Sequence, residues 1–166
     1  LYLSNTKSSD KGIAQLANLP RLEVLYVFDC SLTGQGLARF KSLKRLGISE
    51  TKLNDEGVAA LAANRDLVDL NLRSTMISNE GLAHLAKLKR LEELNLVDTK
   101  ISDIGLKHLK DLTSLKELRI YRTNVTDAGL EHLHGLKNLK HIYLSVEGKV
   151  TLAGVHRLER AIRGFA

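Results

Sequence analysis

The chain has 166 residues, 43% of them hydrophobic, and a formal charge of +6 from 25 Lys plus Arg against 19 Asp plus Glu. That is long enough for one domain with a sizeable core; the chain has no apolar stretch of membrane-spanning length, and no basic-then-apolar leader follows Leu1. The single Cys30 excludes an internal disulfide and favours a reducing compartment, so a cytoplasmic protein is expected.

Taken in chain order, the predicted elements repeat. A partial unit enters inside its frame at Leu1 and Leu3. Full units then open at Leu22, Leu43, Leu67, Leu91, Leu115 and Leu139, separated by 21 residues once and then by 24 four times. Apolar residues at the first, fourth and sixth places, such as Leu91, Leu94 and Leu96, alternate as in a short strand with one buried face. Three residues on stands Thr6, Cys30, Thr51, Thr75, Thr99 or Thr123. Each hydroxyl of this column is expected to bond to the backbone of the turn, and Cys30 to be a small buried thiol.

An apolar residue and a Ser or Thr follow, as in Ile101-Ser102 and Val125-Thr126. Together with Asp103 and Asp127 they read as capping pairs at a helix start, with Gly81, Gly105 and Gly129 opening the helix as structural glycines. The apolar spacing then changes to three, as in Leu106, Leu109 and Leu112, which predicts a short helix with one inward stripe. A unit of this size cannot bury both faces alone, so units must stack. The predicted fold class is α/β, a curved solenoid with parallel strands on the concave face and short helices on the convex face. Residues 1–166 are expected to form a single domain of about seven repeats, part of a longer protein.

The frame LxxLxLxxTxI(S/T)DxGLxxLxxL, seen from Leu91 to Leu112, resembles the leucine-rich repeat family. The likeness is to the variety with Thr or Cys at the strand exit and Gly-Leu opening the convex helix, and it covers essentially the whole chain. It implies the fold and says little of function. Proteins with such repeats include ubiquitin-ligase receptors and secreted bacterial effectors; in the latter case delivery into a host cell is implied.

Two units depart from the frame. The one opening at Leu22 is three residues short and passes from Gly36-Leu37 through Phe40 to Leu43. Its helix should lose most of a turn, with Phe40 filling space that aliphatic residues fill elsewhere. The last unit has Glu147 in the Thr column, then Gly148, and brings Gly154-Val155 one residue late. Val155, Leu158, Ala161 and Ile162 share one side of the final segment, which reads as a helix covering the open end of the core, or else as a truncation that leaves further repeats out.

Recognition then rests on the variable strand residues that point outward. One column reads Val24, Arg45, Asp69, Glu93, Glu117, His141 and the next Tyr2, Tyr26, Gly47, Asn71, Asn95, Arg119, Tyr143. Beyond them come Phe28, Ser49, Arg73, Val97 and Tyr121, then Asp29, Glu50, Ser74, Asp98 and Arg122. Asp69, Glu93 and Glu117 would stack as like charges, partly offset by Arg73 and Arg119. Tyr26 and Phe28 lie to one side of this acidic and amide strip, and Tyr121, Arg122 and Tyr143 to the other. Exposed Tyr and Arg are frequent anchors of protein interfaces. The candidate partner-binding set is Tyr26, Phe28, Asp69, Asn71, Arg73, Glu93, Asn95, Glu117, Arg119, Tyr121, Arg122 and Tyr143, and Val97 and Asp98 also belong to the variable text.

No catalytic residue is assigned. HExxH, a phosphate loop, CxxC and GxSxG are all missing from the sequence. His84, His108 and His132 recur at 24-residue spacing, but on stacked helices about 8–10 Å apart they are too distant to share a zinc ion. Neither metal nor cofactor is expected. Lys87, Lys89, Arg90, Lys107, Lys110, Lys137 and Lys140 gather in return segments without interleaved aromatics, so nucleic acid and membrane are not the expected partners. The expected function is non-catalytic binding of another protein or peptide by a monomeric domain. The alternatives are an anionic ligand, nucleic acid or acidic lipid, on the Lys/Arg edge, or regulation of an enzyme.

Overall fold

The computed structural model describes residues 1–6, 8–145 and 149–163, so Val146, Glu147 and Gly148, where the last unit leaves the frame, lie outside the described residues. Seven strands, β1 (Tyr2–Ser4), β2 (Val24–Phe28), β3 (Arg45–Ser49), β4 (Asp69–Asn71), β5 (Glu93–Asn95), β6 (Glu117–Arg119) and β7 (His141–Tyr143), form one parallel sheet in chain order. Helices α1 (Asp10–Leu16), α2 (Asp55–Leu61), α3 (Asn79–Leu85), α4 (Asp103–Leu106), α5 (Asp127–Glu131) and α6 (Leu152–Arg163) make the opposite layer. The result is a curved α/β solenoid with the sheet on its concave side.

The core is the repeated apolar frame. Leu91, Leu94, Leu96, Ile101, Leu106, Leu109 and Leu112 of one unit are all buried, and their counterparts in neighbouring units continue the same cluster. Each such side chain contributes about 1.5–3 kcal/mol, and only because the next unit covers it. In the short unit a single 3₁₀ turn over Gln35–Arg39 replaces the helix, and Phe40 is buried behind it. Gly34 opens that turn at φ 96°, and a Cβ there would lie 2.9 Å from Gly57 Cα, so only glycine suits both conformation and space. At the far end α6 packs on α5 and buries Leu158. Among the described residues a groove of about 550 Å3 lies between α6 and β7, lined by Leu139, Ile142, Val155 and Ile162.

Every strand from β1 to β6 exits through a left-handed residue: Asn5, Asp29, Glu50, Ser74, Asp98 and Arg122 have φ between 48° and 57°. Glu50 and Arg122 are poorly suited to that region, yet the repeat geometry holds them there. The next column serves the turn. Thr75, Thr99 and Thr123 donate their hydroxyls to the carbonyls of Leu72, Leu96 and Ile120 at 2.6–2.7 Å. The Cys30 thiol donates to the Phe28 carbonyl and sits 3.3 Å from the Thr6 hydroxyl. Thr51 accepts instead, from the Leu53 amide.

The acidic residue at the helix start works differently from a cap of its own helix. Asp103 reaches forward one unit, accepting from the Thr126 amide and hydroxyl at 2.7 Å each. Asp55 takes the Ser78 amide and hydroxyl and the Gly81 amide; Asp127 takes the Thr151 amide and hydroxyl. Asn79 fills the same place, accepting from the Ser102 amide and donating to its hydroxyl. This carboxylate-to-cap ladder ties the convex edges of successive units together. It also explains the glycines: a Cβ at Gly81 would stand 2.5 Å from Asp55 Oδ1, and one at Gly105 2.5 Å from Asn79 Oδ1. The ladder starts with Asp10, which accepts from Thr33 and Gly34, and skips one rung because Gly34 occupies the acidic position of the short unit.

Burial alone would raise the Asp10 carboxyl, but hydrogen bonds from the Thr33 hydroxyl and amide and the Gly34 amide outweigh it and hold its pKa below the ordinary value. The depressed pKa means that this contribution to stability is present at neutral pH and lost as pH falls below the usual aspartate range.

Candidate protein-binding face

Strand register sets the face. Tyr2, Tyr26, Gly47, Asn71, Asn95, Arg119 and Tyr143 stand side by side across β1–β7, and Arg45, Asp69, Glu93, Glu117 and His141 form the adjacent row. The frame leucines between them point the other way into the core.

The aromatic end is ordered by a glycine. Tyr2 and Tyr26 stack at 5.0 Å between centroids with planes 11° apart, and Phe28 continues the array at 6.1 Å. Tyr26 leans over β3 through the space that a side chain at position 47 would fill, and its hydroxyl donates to Asp69 on β4 at 3.0 Å. Burial first, and then the Asp69 carboxylate, raise the Tyr26 pKa. Asp69→Asn is therefore expected to return the Tyr26 titration toward the ordinary tyrosine value. Alkaline difference absorbance would show it, and an unchanged titration would mean that Asp69 does not act on the phenol.

The three stacked acids differ in their surroundings. Asp69 is held by Tyr26, Glu117 pairs with Arg119 on its own strand, and Glu93 is exposed with no ion pair among the described residues. Arg119 lies over the Tyr143 ring, 5.2 Å from its centroid. Of the two arginines expected to offset the strip, Arg119 does so, whereas Arg73 is exposed and has no ion pair among the described residues. Asn71 and Asn95 accept from the amides of Arg73 and Val97 at 3.1 Å, so their oxygens shape the strand exits. Tyr121 is half-buried; Arg122, at a left-handed turn, stands 4.0 Å from Asp98. Val97, expected among the outward letters, is buried at 1% exposure, whereas Arg73 at the same place one unit earlier is exposed: the short apolar side chain is covered where the long charged one reaches water.

Two features are not readable from the repeat pattern alone. The role of Gly47 is signalled only by a glycine in an outward column beside a tyrosine. The forward reach of Asp55, Asn79 and Asp103 is signalled by their fixed place after Ser or Thr or Asn, but periodicity does not say which unit a carboxylate serves.

On the return edge Lys44, Arg90 and Lys116 pair with Glu23, Asp66 and Glu92 at 2.6–2.7 Å, which offsets part of the basic charge. Such exposed pairs add little stability. His108 is pushed down by burial and by the neighbouring Lys107. Among the described residues no group of His, Cys, Asp and Glu is placed to hold a metal ion, and no helix is long and apolar enough to cross a membrane.

Two family models, both described as leucine-rich repeat, match residues 89–146 and 41–62. No curated protein matches. Among solved structures, an internalin (inlF) from Listeria monocytogenes is 22% identical with a TM-score of 0.69, covering 100% of this chain and 52% of that one. An internalin C2 (inlC2) from the same species is 22% identical with a TM-score of 0.63, covering 94% of this chain and 74% of that one. The chain thus spans about half the length of the first, and at this identity the likeness is one of fold.

The expectation of a cytoplasmic protein is corrected by these structures, since internalins are secreted or surface-anchored proteins. A single buried thiol bonded to a carbonyl forms no disulfide in either compartment, so Cys30 carries no redox address. With the repeated frame and the single parallel sheet in agreement, residues 41–62 and 89–146 match leucine-rich repeat models and the chain has the fold of a leucine-rich repeat solenoid.

Proposed function

We propose that this chain is a non-catalytic recognition domain, acting as a monomer, that holds a protein or peptide against its concave face. The observation that carries the proposal is the ordered aromatic and arginine array of that face. Tyr2, Tyr26 and Phe28 stack at one end, and Arg119 lies on Tyr143 at the other, all on a scaffold whose frame residues are buried. Interface anchors are typically such side chains, large in area and held in place before the partner arrives. The contact set is Tyr26, Phe28, Asp69, Asn71, Arg73, Glu93, Asn95, Glu117, Arg119, Tyr121, Arg122 and Tyr143.

The test compares capture of a partner by the intact protein, by Tyr26→Ala with Tyr143→Ala, and by Lys107→Glu with Lys110→Glu. The concave pair is expected to weaken binding at least about tenfold, the edge pair to leave it within about twofold. Loss through the edge pair alone, steeply dependent on salt, would establish an anionic ligand on the return edge instead.

A further inference from the structure

Resting on that concave reading, we infer that the partner presents a basic segment, with a Lys or Arg side chain seated on Glu93 at the centre of β4–β6. The chain as a whole carries +6, yet its concave face runs against that sign. Three carboxylates on β4–β6, with Asp29, Glu50 and Asp98 on the strand-exit rim, outnumber the four arginines Arg45, Arg73, Arg119 and Arg122. Asp69, Glu93 and Glu117 are in direct register on adjacent parallel strands, about 4.8 Å apart, where like charges destabilise the sheet.

The two outer acids are restrained sideways, Asp69 by the Tyr26 hydroxyl and Glu117 by Arg119. Glu93 is left between them, exposed and without a cation among the described residues. A fold that needed only stability would place an amide or a base there, as it does two places further along the strand at Asn95. A partner's ammonium or guanidinium group relieves the repulsion, and the aromatic arrays on either side supply apolar contact for its neighbours. The arrangement therefore exchanges stability of the free domain for affinity.

That exchange gives the inference a double readout. Two fluorescein-labelled peptides of equal length and tyrosine content, one carrying lysines and the other glutamates, would be titrated by anisotropy against the intact protein and Glu93→Gln. The lysine peptide should bind at least about tenfold more tightly than the glutamate peptide, less so as salt rises. Glu93→Gln should weaken that binding about tenfold while raising the urea midpoint of the free protein. Three results overturn the inference: equal or tighter binding of the glutamate peptide, lysine-peptide binding indifferent to Glu93→Gln, or no binding of either. Where the glutamate peptide wins, Tyr26→Ala with Tyr143→Ala decides between causes. Sensitivity to that pair leaves the concave site standing with the opposite charge preference, and loss only through Lys107→Glu with Lys110→Glu removes the concave site itself.

Discussion

Phe40→Ala lowers the free energy of unfolding by about 3–5 kcal/mol, the range expected when a fully enclosed aromatic is cut back to a methyl. The side chain is 2% exposed, in a unit three residues shorter than its neighbours. Elsewhere that part of the core takes two leucines, Leu85 with Leu88 and Leu109 with Leu112, carried by a longer return. Here the 3₁₀ turn ends at Arg39, and Phe40 stands alone between Leu37 and Leu43. One ring does the filling of two aliphatic side chains, so its removal leaves a cavity that no nearby chain is long enough to close. Phe40→Leu should cost less, roughly 1–2 kcal/mol. Urea unfolding followed by circular dichroism measures both; a loss under about 1 kcal/mol for Phe40→Ala would mean that the backbone collapses into the space.

The replacement of two leucines by Phe40 is legible in the sequence, because a missing segment and a large residue at the same place can be read from spacing alone. The same holds for the strand frame, whose period of two gives way to a period of three at each Gly-Leu pair. Spacing is silent on direction. Val97 shares its column with Phe28, Ser49 and Arg73, yet Val97 and Ser49 are buried, Phe28 is half-buried and Arg73 is exposed, so the column alone does not fix which letters face water. The acidic strip is legible as a row of letters but not as three different environments. Those depend on Tyr26 crossing Gly47 and on Arg119 folding back along its own strand, contacts set by side-chain reach rather than by period.

Asp55→Ala is the sharper test of what joins one unit to the next. Its carboxylate accepts from the Ser78 amide at 2.8 Å, the Ser78 hydroxyl at 2.6 Å and the Gly81 amide at 3.1 Å. Alanine strips two backbone amides of their acceptor at a half-buried seam, which is expected to cost about 2–4 kcal/mol. Asp55→Asn should cost about 1 kcal/mol, since Asn79 fills the same role one unit later, through Oδ1 to the Ser102 amide and Nδ2 to its hydroxyl. In a solenoid such a loss belongs to one interface, so amide exchange should quicken at Ser78 and Gly81 while the seam at Asp103 and Thr126 keeps its protection. Gly81→Ala sets a methyl 2.5 Å from Asp55 Oδ1 and displaces the same carboxylate. The two changes should therefore add to less than their sum, because each removes what the other would. Full additivity, or equal losses for Asp55→Ala and Asp55→Asn, would reduce the ladder to a set of incidental surface bonds and leave apolar stacking as the only tie between units.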